Sequence, residues 1–112
     1  MLLHIITTAG WDAAQSAGSI TPAVGEDFVH CSDRGVVHVT AGKFFHGQSG
    51  LLLLVVDPAR LGVPVRWEAV ADSPLWFPHV YGPIPVSAVV EVHDFPCLPD
   101  GSFALPEVVA VL

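Results

Sequence analysis

Positively charged side chains are the scarcest feature of this chain. Lys and Arg together number four, against eleven Asp and Glu, and the formal net charge is −7. Proteins that bind nucleic acids or anionic membranes use clustered cations to neutralise phosphates, and here the four cations are scattered along the sequence. We therefore expect no general nucleic-acid binding and no membrane attachment. One or two arginines could still contact the phosphate of a small ligand.

Cysteines and long apolar runs are also scarce. Cys31 and Cys97 lie far apart in the sequence and mark no disulfide framework. The apolar run Leu51–Val56 has six residues, far short of the roughly 20 that a membrane-spanning helix needs. The first residues carry no charged segment followed by a long apolar run, so no signal peptide is expected. These features predict a reduced, cytoplasmic protein.

Apolar side chains, in contrast, are abundant. They make up 52% of the 112 residues, whereas charged side chains make up 13%. A chain of this length and composition is expected to fold as a single domain over residues 1–112, with enough core to offset its ordering entropy. The apolar excess also allows an adhesive face and hence a homo-oligomer.

Patterns of apolar and turn residues predict two short helices among about six strands. Strands are expected at Leu2–Thr7, Phe28–Cys31, Leu51–Val56, Val63–Val70, Trp76–Tyr81 and Val86–Phe95, helices at Ala9–Ala17 and Asp33–Phe45, and turns at Ala71–Pro74 and Pro96–Gly101. The tail Phe103–Leu112 fits a strand or a short helix that begins near Pro106. This order of elements is typical of an α+β domain that is mostly sheet. No dinucleotide-binding or P-loop glycine motif follows a strand.

The stretch Glu26–Ser32 is the one around which the rest of the chain is organised. It places an aromatic residue, a β-branched residue, His30, Cys31 and Ser32 in consecutive positions. Ser32 is expected to cap the following helix, so His30 and Cys31 would lie at the exit of a strand, just before a helix. Side chains at such a position can face a cleft while the backbone holds them rigidly.

Three of the six histidines are candidate site residues. His4 lies in the first predicted strand, His30 ends the second, and His79 lies in the motif Phe-Pro-His-Val-Tyr-Gly-Pro. They can converge only if their strands are neighbours and their side chains point to the same face. Structural interpretations remain open: His4 as a core histidine bonded to a backbone carbonyl, and His79 as a turn residue stacked on Pro78 and Tyr81.

Three kinds of chemistry fit these residue types. Three imidazoles with Cys31 would suit zinc, but the close ligand spacing of a typical metal site is absent. A Cys31 nucleophile would need a histidine other than its neighbour His30, because adjacent strand residues point to opposite faces. Imidazoles with Ser32 and Tyr81 could instead hold the hydroxyls of a ribose. Glu68 is the only candidate carboxylate, and a solvated surface glutamate is its simpler interpretation.

Together these motifs resemble a small bacterial family of domains of unknown function, number nine-five-two. The resemblance runs nearly end to end. Its markers are Leu3-His4-Ile5, Trp11 with Ala14 and Gly18, Phe28–Ser32, Leu51–Asp57, Glu68, Phe77–Pro83, and Asp100-Gly101 with Phe103, Leu105 and Pro106. The family fold is similar to that of ADP-ribosyltransferases. The resemblance therefore implies an α+β fold of split, mostly antiparallel β-sheets with two or three short helices.

The resemblance also implies a ligand and a site. Such enzymes bind NAD in a cleft between two small sheets, so the implied ligand is NAD or another ribose-containing nucleotide, and the implied reaction is ADP-ribosyl transfer or hydrolysis. The implied catalytic residues are His4, His30 and His79, and the implied ligand-binding residues are Cys31, Ser32 and Tyr81; no metal is implied.

The chain departs from the transferase pattern in two places. Ile5-Ile6 follows the first histidine where the transferases carry Gly-Ser or Gly-Thr, and His79 stands where many carry a glutamate. The alternative is a non-catalytic ligand-binding or protein-interaction module.

Overall fold

Short strands and helices alternate along the chain in the computed structural model, which describes residues 1–70 and 73–111. The strands are β1 (Leu2–Thr7), β2 (Ser19–Ile20), β3 (Val29–His30), β4 (Leu51–Val56), β5 (Val65–Ala69), β6 (Trp76–Val80), β7 (Ile84–Pro85) and β8 (Val89–Asp94). The helices are α1 (Thr8–Ala17), α2 (Val37–Phe44) and α3 (Glu107–Ala110), and 3-10 turns cover Pro58–Arg60 and Val86–Ala88. No helix in the described ranges is both long enough and apolar enough to cross a membrane.

The strands form three antiparallel sheets, which confirms the predicted α+β architecture. Their orders are β1–β4–β8, β2–β7 and β3–β6–β5. One backbone pair connects the first sheet to the third: the Leu3 N–H donates to the Ser32 oxygen at 2.8 Å, and the Ser32 N–H donates to the Leu3 oxygen at 2.7 Å. This pair places β1 beside the segment that contains His30 and Cys31.

Strand β4 is the centre of the hydrophobic core. All six of its residues are buried. Because side chains alternate along a strand, Leu52, Leu54 and Val56 pack into one apolar cluster, and Leu51, Leu53 and Val55 pack into another. A continuous apolar run is therefore explained by a core on both faces of the sheet.

Helix α1 begins and ends where its capping residues permit. The Thr7 hydroxyl accepts from the Gly10 N–H at 2.9 Å and caps the first turn. Gly18 ends the helix with φ of 90°, and its N–H donates to the Ala14 oxygen at 2.8 Å. The left-handed conformation at this position favours glycine. The predicted helix is thus confirmed, with a start one residue earlier.

The expected helix cap at Ser32 is wrong. The Ser32 backbone pairs with Leu3, and the Asp33 carboxylate accepts from the Gly35 N–H at 2.7 Å. Asp33 therefore forms a turn before α2, which starts only at Val37 and has no side-chain cap. Strand β3 is also shorter than expected, because Phe28 and Cys31 lie outside it.

The C-terminal half differs from expectation mainly in its boundaries. The predicted strand Val86–Phe95 begins with a 3-10 turn and becomes β8 only at Val89. The tail forms the helix alternative, α3, immediately after Pro106. Of the predicted turn Ala71–Pro74, the first two residues lie outside the described ranges, as does the last residue of the tail.

Candidate functional site

A cleft of about 610 Å³ lies between the β1–β4–β8 and β3–β6–β5 sheets. Its volume falls in the range of small-molecule sites, which are mainly apolar with a few placed polar groups. Its polar lining residues are His4, Thr21, Glu26, His30, Ser32, Thr40 and His79; apolar ones include Ile5, Ile6, Ile20, Phe28, Phe44 and Phe77.

His79 is anchored at one edge of this cleft to a carboxylate that also binds a phenol. Its Nδ1 lies 2.9 Å from Glu68 Oε1, and the Tyr81 hydroxyl donates to the same oxygen at 2.5 Å. These two hydrogen bonds lower the pKa of Glu68, and the bond to Glu68 raises the pKa of Tyr81. Because the ionised carboxylate can only accept, His79 donates from Nδ1, and in the Nδ1–H tautomer of the ring Nε2 is an acceptor.

Phe28 holds the other side of the His79 ring. The two rings stack with centroids 4.0 Å apart and an interplanar angle of 16°. The Phe28 ring also lies 5.2 Å from that of Tyr81 and 4.8 Å from that of His30. With 4% of its surface exposed, His79 is a buried imidazole. Stacking and hydrogen bonding together fix the orientation of the ring.

His4 is held in a similar way by a backbone oxygen. Its Nδ1 donates to the His30 carbonyl at 2.7 Å, a contact made possible by the neighbouring Leu3–Ser32 backbone pair. Burial lowers the pKa of His4, so the ring is neutral at physiological pH. Nε2 of His4 is therefore a second acceptor on the cleft wall.

His30 has a more exposed position. Its side chain is 57% exposed, and its Nε2 donates to Glu26 Oε2 at 2.7 Å. Its ring lies 5.4 Å from the His79 ring at an angle of 74°. The cross-strand pair His30–His79 in the β3–β6 register brings the two rings together.

Cys31 and Ser32 line the same cleft but are buried. Burial raises the pKa of the Cys31 thiol to about 12, so it is protonated at neutral pH and unsuited to nucleophilic attack. Cys31 packs in the apolar cluster on one face of β4. Cys31 and its neighbour His30 differ in burial, Cys31 being buried and His30 exposed.

Five of the six predicted site residues line the cleft: His4, His30, Cys31, Ser32 and His79. Tyr81 contacts Glu68 and Phe28 instead. In residues 1–70 and 73–111, no three His, Cys, Asp or Glu side chains are grouped so as to hold a metal.

Two features of the site were missed from the sequence. The sequence predicts Phe28 in a buried strand, yet Phe28 stacks on His79. It predicts no role for Glu26, yet Glu26 pairs with His30. The spacing of four between Glu26 and His30 is the only local signal for that pair. The Phe28 stack depends on the pairing of β3 with β6, which no local pattern indicates.

The fold and the site define a small α+β domain with a histidine-lined cleft between two antiparallel sheets. The chain belongs to the family described as Protein of unknown function (DUF952), whose model matches residues 5–92. No significant match was found among curated proteins.

Solved structures of a relative agree with the family assignment. The chain is similar to protein CC0527 from Caulobacter crescentus, with 34% sequence identity, 97% of each chain covered and a TM-score of 0.86 for the crystal structure. The solution NMR structure of the same protein gives 35% identity and a TM-score of 0.81, with 99% of this chain and 97% of that chain covered.

Proposed function

We propose that this domain binds NAD or another ribose-containing nucleotide in the histidine-lined cleft, and that His79 acts as a general base on a reaction at the ribosyl C1′. The single observation that carries the proposal is the hydrogen bond from His79 Nδ1 to Glu68 at 2.9 Å. A carboxylate in this position orients the imidazole and stabilises the cation that forms when Nε2 takes a proton.

The other cleft residues have matching roles in this proposal. His4 Nε2 and the hydroxyl of Ser32 would contact the ribose hydroxyls. His30 would form the exposed polar edge of the site, and Tyr81 would hold Glu68 in place. Phe28 and Phe77 offer aromatic surface to a flat ring. Cys31 would contribute contact surface and no bond-forming chemistry.

The resemblance to ADP-ribosyltransferases supports the choice of reaction. In that family the ligand lies between two small sheets, with a histidine on the first strand, and here His4 lies on β1 and the cleft separates two sheets. The proposed step breaks the C1′–N bond, and nicotinamide leaves with the bonding electron pair. A hydroxyl or water oxygen forms the new C1′–O bond, and its proton passes to His79 Nε2.

A non-catalytic interaction module is the second candidate. It is favoured by Trp67 and Trp76, whose surfaces are 48% and 60% exposed. Trp67 lies on β5 and Trp76 on β6, and exposed tryptophans of this kind are enriched in protein-binding surfaces. In this case the cleft would bind no nucleotide, and the two tryptophans would contact a partner protein.

Histidine-selective NMR with NAD, ADP-ribose and nicotinamide added in turn separates the two candidates. The six histidines include an internal control, because His38, His46 and His93 do not line the cleft. The proposal predicts selective shifts of His4, His30 and His79 with at least one ligand. No shift at millimolar ligand would contradict nucleotide binding and favour the interaction module.

A variant then tests the catalytic assignment. If a ligand binds, His79→Ala should weaken binding and abolish turnover, because it removes both the Nε2 acceptor and the stacking partner of Phe28. His46→Ala, at an exposed position outside the cleft, is the matched control. Unchanged binding and turnover in His79→Ala would show that the role assigned to His79 is wrong.

A further inference from the structure

The charge of the cleft wall restricts what the cleft can hold. Among the residues that the structure describes, the lining includes no Lys or Arg, and its one carboxylate is Glu26. A second carboxylate, Glu68, does not line the cleft itself. It accepts a hydrogen bond from the His79 ring, which does. An anionic group placed among these residues would meet the Glu26 carboxylate with no Lys or Arg in the lining to compensate it, since Arg66, whose charge acts on Glu68, lies outside the lining.

The hydrogen-bonding character of the wall points the same way. His4 and His79 each donate from Nδ1 to a protein oxygen, so in the Nδ1–H tautomer each presents Nε2 as an acceptor, and the carboxylate of Glu26 can only accept. Acceptors of this kind recognise hydroxyl and amide hydrogens. A phosphate dianion offers no hydrogen to them, whereas the vicinal hydroxyls of a ribose offer two.

Helix α2 also contributes a hydroxyl-bearing residue to the cleft lining. Thr40, on α2, lines the cleft, and its Oγ1 is buried without a hydrogen-bond partner among the described residues. A buried hydroxyl without a partner is costly, and a polar ligand atom in the cleft would satisfy it. Because a hydroxyl can donate or accept, Thr40 fits either an amide or a hydroxyl of the ligand.

The cations near the cleft stand outside its lining. Lys43 lies over the Phe44 ring with its Nζ 5.4 Å from the centroid, and Arg66 lies over the Tyr81 ring at 4.8 Å. Both residues are exposed. A phosphate that protruded from the cleft could reach solvent and such surface cations, but a phosphate inside the cleft would be separated from them.

From these contacts we infer that the cleft takes a neutral or cationic nucleoside, a base with its ribose, and excludes the phosphate. This inference rests on the proposed function and names the ligand class of the same site. In a dinucleotide such as NAD, the diphosphate would have to lie outside the cleft. Phosphorylation of the ribose 5′-hydroxyl should therefore weaken binding instead of strengthening it.

Calorimetric titration with matched pairs tests the inference. The probes are nicotinamide riboside against nicotinamide mononucleotide, and adenosine against adenosine monophosphate, each at low and moderate ionic strength. We expect each monophosphate to bind at least about tenfold more weakly than its nucleoside, with the ratio shrinking as salt screens the carboxylates. Equal or tighter binding of the monophosphates would overturn the inference and leave ribose binding itself intact.

Two charge-changing variants test whether the charge of the cleft lining causes the preference for the nucleoside. Glu26→Gln should reduce the preference for the nucleoside by about threefold or more, because it removes a negative charge from the lining. Lys43→Ala should leave the ratio unchanged, because Lys43 lies outside the cleft. Loss of monophosphate binding in Lys43→Ala would instead show that Lys43 holds the phosphate, and would overturn the inference.

The two proposals fail in different ways. If none of the four probes binds at millimolar concentration, ribose recognition is wrong and the inference falls with it. If the probes bind but the preference is absent or reversed, only the exclusion of phosphate is wrong. Binding of the nucleosides with the expected preference supports both.

Discussion

The two larger sheets of this domain have three strands each but serve different purposes. In the β1–β4–β8 sheet, β4 is buried on both faces and has no polar side chain. In the β3–β6–β5 sheet, one face of the β5–β6 pair carries Glu68 and His79, which are hydrogen-bonded to each other. The first sheet stabilises the fold through apolar packing, whereas the second has polar side chains in place of part of that packing and positions them for the cleft.

The difference between the sheets also explains why the cleft lies where it does. The Leu3–Ser32 backbone pair is an isolated bridge between the two sheets, and beside it the His4 side chain donates to the His30 oxygen. An isolated bridge leaves most of the facing surfaces unpaired, so side chains of both sheets line the space between them. The rigid β1–β4 pair can then hold His4 while the smaller sheet holds His79.

The largest expected effect concerns the apolar sheet. Leu53→Ala should lower the free energy of unfolding by roughly 2–5 kcal/mol, because the side chain is fully buried and its removal leaves a cavity. Urea denaturation followed by circular dichroism measures the change. Val90→Ala in β8, at a position 38% exposed, is the control and should shift the value by less than about 0.5 kcal/mol. Similar losses in both variants would contradict the picture of a doubly buried β4.

A smaller effect is expected where the polar sheet depends on an aromatic contact. Phe28→Ala removes a stacked pair, which is worth roughly 0.5–1.5 kcal/mol beyond area burial, and it frees the His79 ring on one side. Its signature in NMR should be a broadened or shifted His79 resonance. Phe28→Tyr keeps the ring and is the conservative control. A His79 resonance that is identical in wild type and Phe28→Ala would refute the locking role of Phe28.

The smallest effect on stability, and one that depends on pH, is expected for Glu68→Gln. The folded-state pKa of Glu68 is lowered by Tyr81 and His79 from its ordinary value of 4.5, so the ionised form favours the folded state. Its stabilising contribution is present above pH 4.5 and is lost as the pH falls through the lower folded-state pKa. The stability difference between wild type and Glu68→Gln should therefore shrink on acidification.

Tyr81→Phe sharpens this pH test, since it removes only one of the two hydrogen bonds to Glu68. Tyr81→Phe should reduce the pH dependence of stability in part, whereas Glu68→Gln should remove the whole contribution of this carboxylate to it. Denaturation curves collected between neutral and strongly acidic pH give both values. If the difference in stability between wild type and variant stayed constant across that range, the bonds to Tyr81 and His79 would not lower the pKa of Glu68.

Much of the fold could be predicted because its signals are local. The run Leu51–Val56 and the helix that ends at Gly18 follow from neighbouring residues alone. The start of α2 could not be predicted in this way, because Ser32 can either cap a helix or pair with another strand. Pairing with Leu3, a residue 29 positions earlier, excludes the capping role that the local pattern suggests.

The candidate site was predictable in its residue types but not in its connections. Four histidines lie in strands, and three of them, His4, His30 and His79, line the cleft, whereas His93 in β8 does not. The Glu68–His79 contact depends on the β5–β6 register, in which Arg66 is paired with His79 and Glu68 with Phe77. A diagonal contact of this kind cannot be predicted until the register is known, so the sequence alone favours a surface position for Glu68.

The central claim is that His4 and His79 present Nε2 acceptors to the cleft, and ring-nitrogen NMR tests it most directly. Long-range proton–nitrogen spectra of the ligand-free protein at about pH 8, where free imidazole is neutral, distinguish the two tautomers of each ring. We predict Nδ1–H tautomers for His4 and His79. In Glu68→Ala, His79 should lose its preference for this tautomer, whereas His4 should keep it. An Nε2–H tautomer at either residue in the wild-type protein would contradict the account.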